Sequence, residues 1–158
     1  MNATTAVSVS PSRGRVAILA GGLIAGTFDL TSAYITYGKR VPYGIASGLI
    51  GRTAAFQGGV PTYILGIALH YFIALSAAAV YYAVSRKLGF LKEHPYVCGL
   101  YYGIAIFLVM NLIVLPLSAI HARGPFTLHG LIQGLLVHMI LIGLPIALSV
   151  RAFSGNGR

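Results

Sequence analysis

The stretch Val60-Pro-Thr-Tyr-Ile-Leu-Gly-Ile-Ala-Leu-His-Tyr-Phe-Ile-Ala-Leu-Ser-Ala-Ala-Ala-Val-Tyr-Tyr-Ala-Val84 decides the fold. It contains no Asp, Glu, Lys or Arg, and it exceeds the roughly 20 apolar residues needed to cross about 30 Å of hydrocarbon. Leu128 to Val150 is a second stretch of the same kind. Each carries one histidine near mid-span, His70 and His138. In each, small residues four apart run into that histidine: Thr62, Gly66, His70, Ala74 and Gly130, Gly134, His138. An imidazole in hydrocarbon is costly, so both rings are expected to face protein or water rather than lipid.

Two further apolar runs, Val16 to Tyr37 and Val97 to Ile120, bring the expected number of spans to four. The expectation is an all-α, polytopic membrane protein with four transmembrane helices. Composition agrees: of 158 residues 57% are hydrophobic and 8% charged, with a mean hydropathy of +0.84. A soluble domain carries about a quarter charged residues. The expected organisation is a disordered tail over 1–15, a four-helix membrane domain over 16–151, and a second disordered tail over 152–158. Arg13 and Arg15 before an apolar run also suit a signal peptide, but the run continues past Asp29 without a persuasive cleavage site. A retained helix is therefore expected.

Between the first two spans lies Ile45-Ala-Ser-Gly-Leu-Ile-Gly-Arg-Thr-Ala-Ala-Phe56, too short to cross. It reads as a short interfacial or re-entrant helix in the first loop. The link Leu88 to Pro95 is short, so the second and third spans should form an antiparallel hairpin. Pro116 and Pro145 lie inside the third and fourth spans, and Pro116 should bend its helix. The matching patterns around His70 and His138 suggest two helical hairpins of similar plan, related by an axis along the membrane normal.

The net charge of +9 resembles a nucleic-acid signal, but its distribution does not. Most of the basic residues flank spans, where they orient the chain and meet anionic lipid head groups. Both termini and the second link share one side and hold Arg13, Arg15, Arg86, Lys87, Lys92, Arg151 and Arg158. The other side holds Lys39, Arg40, Arg52 and Arg123. Seven against four predicts cytoplasmic termini. No nucleic-acid partner is expected; the bilayer is, together with a homo-oligomer or a small membrane complex. The single cysteine, Cys98, excludes an internal disulfide and dithiol redox chemistry.

Each span carries one conspicuous polar residue: Asp29, His70, Asn111 and His138. Measured from the span centres at 1.5 Å per residue, all four fall within about 5 Å of one depth. Gly22, Gly26, Asp29 and Ala33 make a matching small-residue stripe in the first span. Asp29 is the one acidic residue inside any span, and a buried carboxylate must pair or stay protonated. Its candidate partners are His70, His138 and Arg52, with His121 and His129 as supporting groups near the outer mouth. A register-fixing Asp–His or Asp–Arg bond, a proton or ion relay, and a transition-metal or haem site all remain open at this point. There is no Glu-x-x-His motif, no nucleophile elbow and no phosphate-cradling loop. No cofactor and no catalytic residue is expected, and no enzyme class is assigned.

Ala46-Ser-Gly-Leu-Ile-Gly-Arg-Thr-Ala-Ala-Phe-Gln-Gly-Gly59, Leu65-Gly-Ile-Ala-Leu-His-Tyr-Phe-Ile-Ala74, Val80-Tyr-Tyr-Ala-Val-Ser-Arg86 and Leu108-Val-Met-Asn-Leu-Ile-Val-Leu-Pro-Leu-Ser118 resemble a family of small uncharacterised bacterial inner-membrane proteins. The chain is also distantly similar to the YagU-type family, which is associated with acid tolerance and whose first loop is longer. The resemblance covers roughly residues 20–150 and implies a multi-span protein of the bacterial inner membrane. It transfers no catalytic residue. The leading functional expectation is binding or conduction of a small solute or protons through the Asp/His/Asn layer. The alternatives are a non-transporting accessory subunit of a membrane complex and a metal- or haem-binding oxidoreductase.

Overall fold

A computed structural model describes residues 11–122 and 127–153, and among these every regular element is a helix. The helices are α1 (Pro11–Tyr37), α2 (Val41–Ile50), α3 (Arg52–Gln57), α4 (Gly59–Ser85), α5 (Phe90–Glu93), α6 (Pro95–Leu117) and α7 (Leu128–Phe153). Four of them, α1, α4, α6 and α7, are long and apolar enough to cross a membrane. A 27-residue helix such as α4 extends about 40 Å, beyond the hydrocarbon thickness. Their outward faces are apolar, with Ile35 82%, Phe72 68% and Leu112 68% exposed. Water would not tolerate so continuous an apolar surface, whereas acyl chains do.

The core is built from alanine more than from leucine: Ala17, Ala25, Ala77, Ala78 and Ala147 are buried with Ile146 and Val150. Lipid is as apolar as leucine, so helix association here depends on close backbone approach. One close crossing joins α6 to α7. A Cβ on Gly143 would overlap the Gly99 carbonyl oxygen and the Gly103 backbone. Gly66 serves the same purpose where α2 lies on α4, because a Cβ there would overlap the Pro42 carbonyl.

The long helices are ordered α4–α1–α7–α6, with α1 against both α4 and the C-terminal half of α7, and α6 against α7. The expected α4–α6 hairpin is joined by its short link but not zipped together. Tyr81 and Tyr102 meet in a tilted edge contact, ring centroids 4.9 Å apart. Large rings meet at the link end, while Gly99 and Gly103 of α6 face α7 and Gly22 and Gly26 of α1 face α4. A two-fold axis relating the hairpins α1–α4 and α6–α7 would map the α1–α7 seam onto α6–α4. The long seam and the tyrosine contact are unlike, so the similar plan does not extend beyond each hairpin.

The first loop holds two helices rather than one. Gly51, at φ +81°, breaks the apolar segment into α2 and α3. The first span begins at Pro11, so residues 11–15 are helical rather than part of a tail. Residues 1–10 and 154–158, and with them most of the two expected tails, lie outside the described residues, as does Arg123.

Both interior prolines follow a π-helical segment. The Leu115 N–H donates to Met110 O, and the Leu144 N–H donates to Met139 O. A proline ring clashes with the carbonyl four residues back, and one wider turn relieves that clash. The same residues surround both turns: Met110-x-Leu-Ile-x-Leu-Pro116 and Met139-x-Leu-Ile-x-Leu-Pro145.

Thr127 caps α7, its hydroxyl accepting from the Gly130 N–H at 3.1 Å. Thr127→Ala is expected to lower stability by about 1 kcal/mol, read from the unfolding midpoint in detergent.

Candidate functional site

Asp29, His70 and His138, from α1, α4 and α7, line one cavity of ≈ 90 Å³ inside the bundle. A water needs only about 10–15 Å³ on this scale, so the cavity has room for several. Its remaining walls are apolar, including Ala74, Ile73, Ile106 and Met110. Ile45 of α2 lines it as well. Gly66 permits that approach by letting α2 lie on α4, and the Ala119 N–H, donating to Gly48 O at 2.8 Å, ties α2 to the segment after α6. Thus α2 bridges the gap between α4 and α6 on one side of the cavity. On the other side lies Ala77, whose carbonyl accepts the Tyr102 hydroxyl at 2.7 Å.

Backbone carbonyls set the state of both imidazoles. A carbonyl only accepts, so the ring nitrogen bonded to it carries hydrogen. His70 Nε2–H donates to Gly26 O at 2.8 Å, which leaves the ring's basic lone pair on Nδ1. His138 Nδ1–H donates to Gly134 O at 2.8 Å, which leaves Nε2 basic. The two rings are therefore opposite tautomers. His138 is further held by Phe107, in an edge contact with centroids 5.4 Å apart. Asp29 Oδ2 stands 3.9 Å from His70 Nε2, and the two side chains retain 22% and 13% of their accessible surface. That separation is too long for a hydrogen bond and short enough for a strong Coulombic attraction once the ring is protonated. The site can therefore accept a proton on imidazole and balance the charge with carboxylate.

The expected four-residue layer is a three-residue site. Asn111 does not line the cavity; its Nδ2 donates to Phe107 O at 2.9 Å, a bond along its own helix. It lies in the π segment that Pro116 imposes, where the neighbouring Met110 faces the cavity instead. Arg52 is exposed on α3 and does not reach Asp29. His121 and His129 are exposed too, and His121 Nδ1–H donates to Pro116 O at 3.1 Å. Among the described residues no three His, Cys, Asp or Glu side chains converge as a metal-binding set. Sequence reasoning missed the Gly26 and Gly134 carbonyls that orient the rings. The four-residue step from Gly134 to His138 was the available signal, since it places a side chain over the carbonyl one turn back. Comparison with protein-family models, with curated proteins and with solved structures finds no match to this chain.

Tyr102→Phe keeps the ring contact and removes the hydroxyl bond to Ala77 O. The expected loss is about 1 kcal/mol, visible as a lowered unfolding midpoint in detergent.

Proposed function

We propose that this chain carries protons across the bacterial inner membrane through the Asp29–His70–His138 cavity, with both termini cytoplasmic. One observation carries the reading: three titratable side chains from three different spans share one cavity, roomy enough for several waters, with otherwise apolar walls. Ionisable groups inside a bundle are costly and mark ion or proton pathways. A proton delivered by cavity water is accepted at His138 Nε2 or His70 Nδ1, the nitrogens not engaged by carbonyls. Asp29 stabilises the imidazolium that forms and weakens the desolvation barrier. The orientation rests on the seven basic residues of the terminal side against four opposite.

The test is proton flux in liposomes under an imposed pH gradient with a potassium clamp. The parent chain is expected to dissipate the gradient well above the rate of empty vesicles, and His138→Ala is expected to reduce that excess by about a hundredfold, the lower end of the range for losing a positioned proton-transfer group. Parent flux equal to that of empty vesicles would eliminate the reading.

A further inference from the structure

A second, larger hollow lies at the link end of the bundle. It measures ≈ 560 Å³ and occupies the space that α4 and α6 leave by not packing together. Tyr81 and Cys98 are its buried floor, and Val84, Leu88, Val97 and Tyr101 are its exposed rim. The volume lies within the roughly 300–1,000 Å³ range of small-molecule sites. The floor offers little polarity: the Tyr81 and Tyr102 hydroxyls already donate to Leu91 O and Ala77 O, at 3.0 and 2.7 Å. Water in such a hollow would have almost nothing to bond.

The rim has the opposite character. The same link places Arg86, Lys87 and Lys92 beside the hollow against one carboxylate, Glu93, with His94 on the wall. Arg86 and Lys87 are exposed. The link joins the ends of two spans, so these charges lie at the level of lipid head groups. We propose that the hollow seats an acyl chain of an anionic phospholipid, its phosphodiester head group held by Arg86, Lys87 and Lys92. An apolar slot with a cationic rim, opening at the membrane surface, complements that chemistry at both ends. A second copy of this chain is the weaker fit, because it would bring an equally basic link, from a chain of net charge +9, against the first. The site is separate from the Asp29 cavity and does not depend on its function.

Delipidated full-length chain in mild detergent, titrated with phosphatidylglycerol or with phosphatidylcholine of identical acyl chains, tests the proposal. Native mass spectrometry counts bound lipid and the unfolding midpoint reports its effect. One phosphatidylglycerol per chain is expected to bind at least about tenfold more tightly than phosphatidylcholine, given the attraction of each basic residue for anionic head groups. The combined Arg86→Gln, Lys87→Gln, Lys92→Gln variant alters only the link, and it is expected to lose that preference. Val84→Trp fills the slot from its exposed rim and is expected to weaken both lipids. Equal binding of the two lipids by the parent chain would overturn the proposal. So would a preference that survives the triple substitution, or a Val84→Trp variant that changes oligomeric state while holding lipid as before.

Discussion

Asp29→Asn is expected to bring proton flux down to that of empty vesicles while leaving the bundle folded. The substitution is nearly isosteric, and among the described residues no hydrogen bond of the Asp29 carboxylate ties two helices together; His70 stands 3.9 Å away. What it removes is the negative charge that makes a protonated imidazole tolerable in an apolar-walled cavity. The effect on flux should reach about a hundredfold or more, the scale of losing a group that a proton transfer depends on. Circular dichroism and the detergent unfolding midpoint of the variant should match the parent. Parental flux from Asp29→Asn would remove the carboxylate from the pathway.

The largest effect on stability is expected from Gly143→Leu. Two helix backbones meet there, and even a methyl group would overlap the Gly99 carbonyl and the Gly103 main chain. No side-chain rotation relieves a collision with backbone. The α6–α7 crossing must open, and with it the buried packing of Ile142, Ile146 and Ala147. The expected cost exceeds about 3 kcal/mol, the upper end of ordinary overpacking in a core. Gly44→Ala is the matched control: a Cβ at Gly44 meets nothing within 4 Å, so its change should stay within about 0.5 kcal/mol. The two variants are compared by unfolding in a graded detergent mixture. A Gly143→Leu midpoint indistinguishable from that of Gly44→Ala would mean that the crossing is not close.

The four spans were legible in the residues because uninterrupted apolar length is a one-dimensional property, and a bilayer imposes it on each helix separately. The inward direction of His70 and His138 was legible too. The Gly66–His70 and Gly134–His138 steps put a polar ring on the face that small residues open to a neighbour. What escaped reading depends on which faces compete for contact. The short link suggested that α4 and α6 would pack along their length, yet they meet through rings at Tyr81 and Tyr102, while glycines bring α1 onto α4 and α6 onto α7 instead. The two π turns escaped for a different reason. Proline predicts that the helix must give, but a bend and a wider turn both relieve its clash, and the residues alone do not choose between them. Asn111 moved out of the expected layer through this local change of phase. The break at Gly51 followed from a positive φ, which an apolar segment does not announce.

The most direct test of the shared cavity is solid-state nitrogen NMR of imidazole-labelled chain in hydrated bilayers, parent beside Asp29→Asn, with single His→Ala variants to assign the rings. His70 is expected as the Nε2–H tautomer and His138 as the Nδ1–H tautomer at high pH, both rings exchanging magnetisation with water. Removing the carboxylate is expected to move the nitrogen resonances of His70, its neighbour at 3.9 Å, while both tautomers stay as they are. Rings without water contact, or rings in the reverse tautomers, would contradict the account.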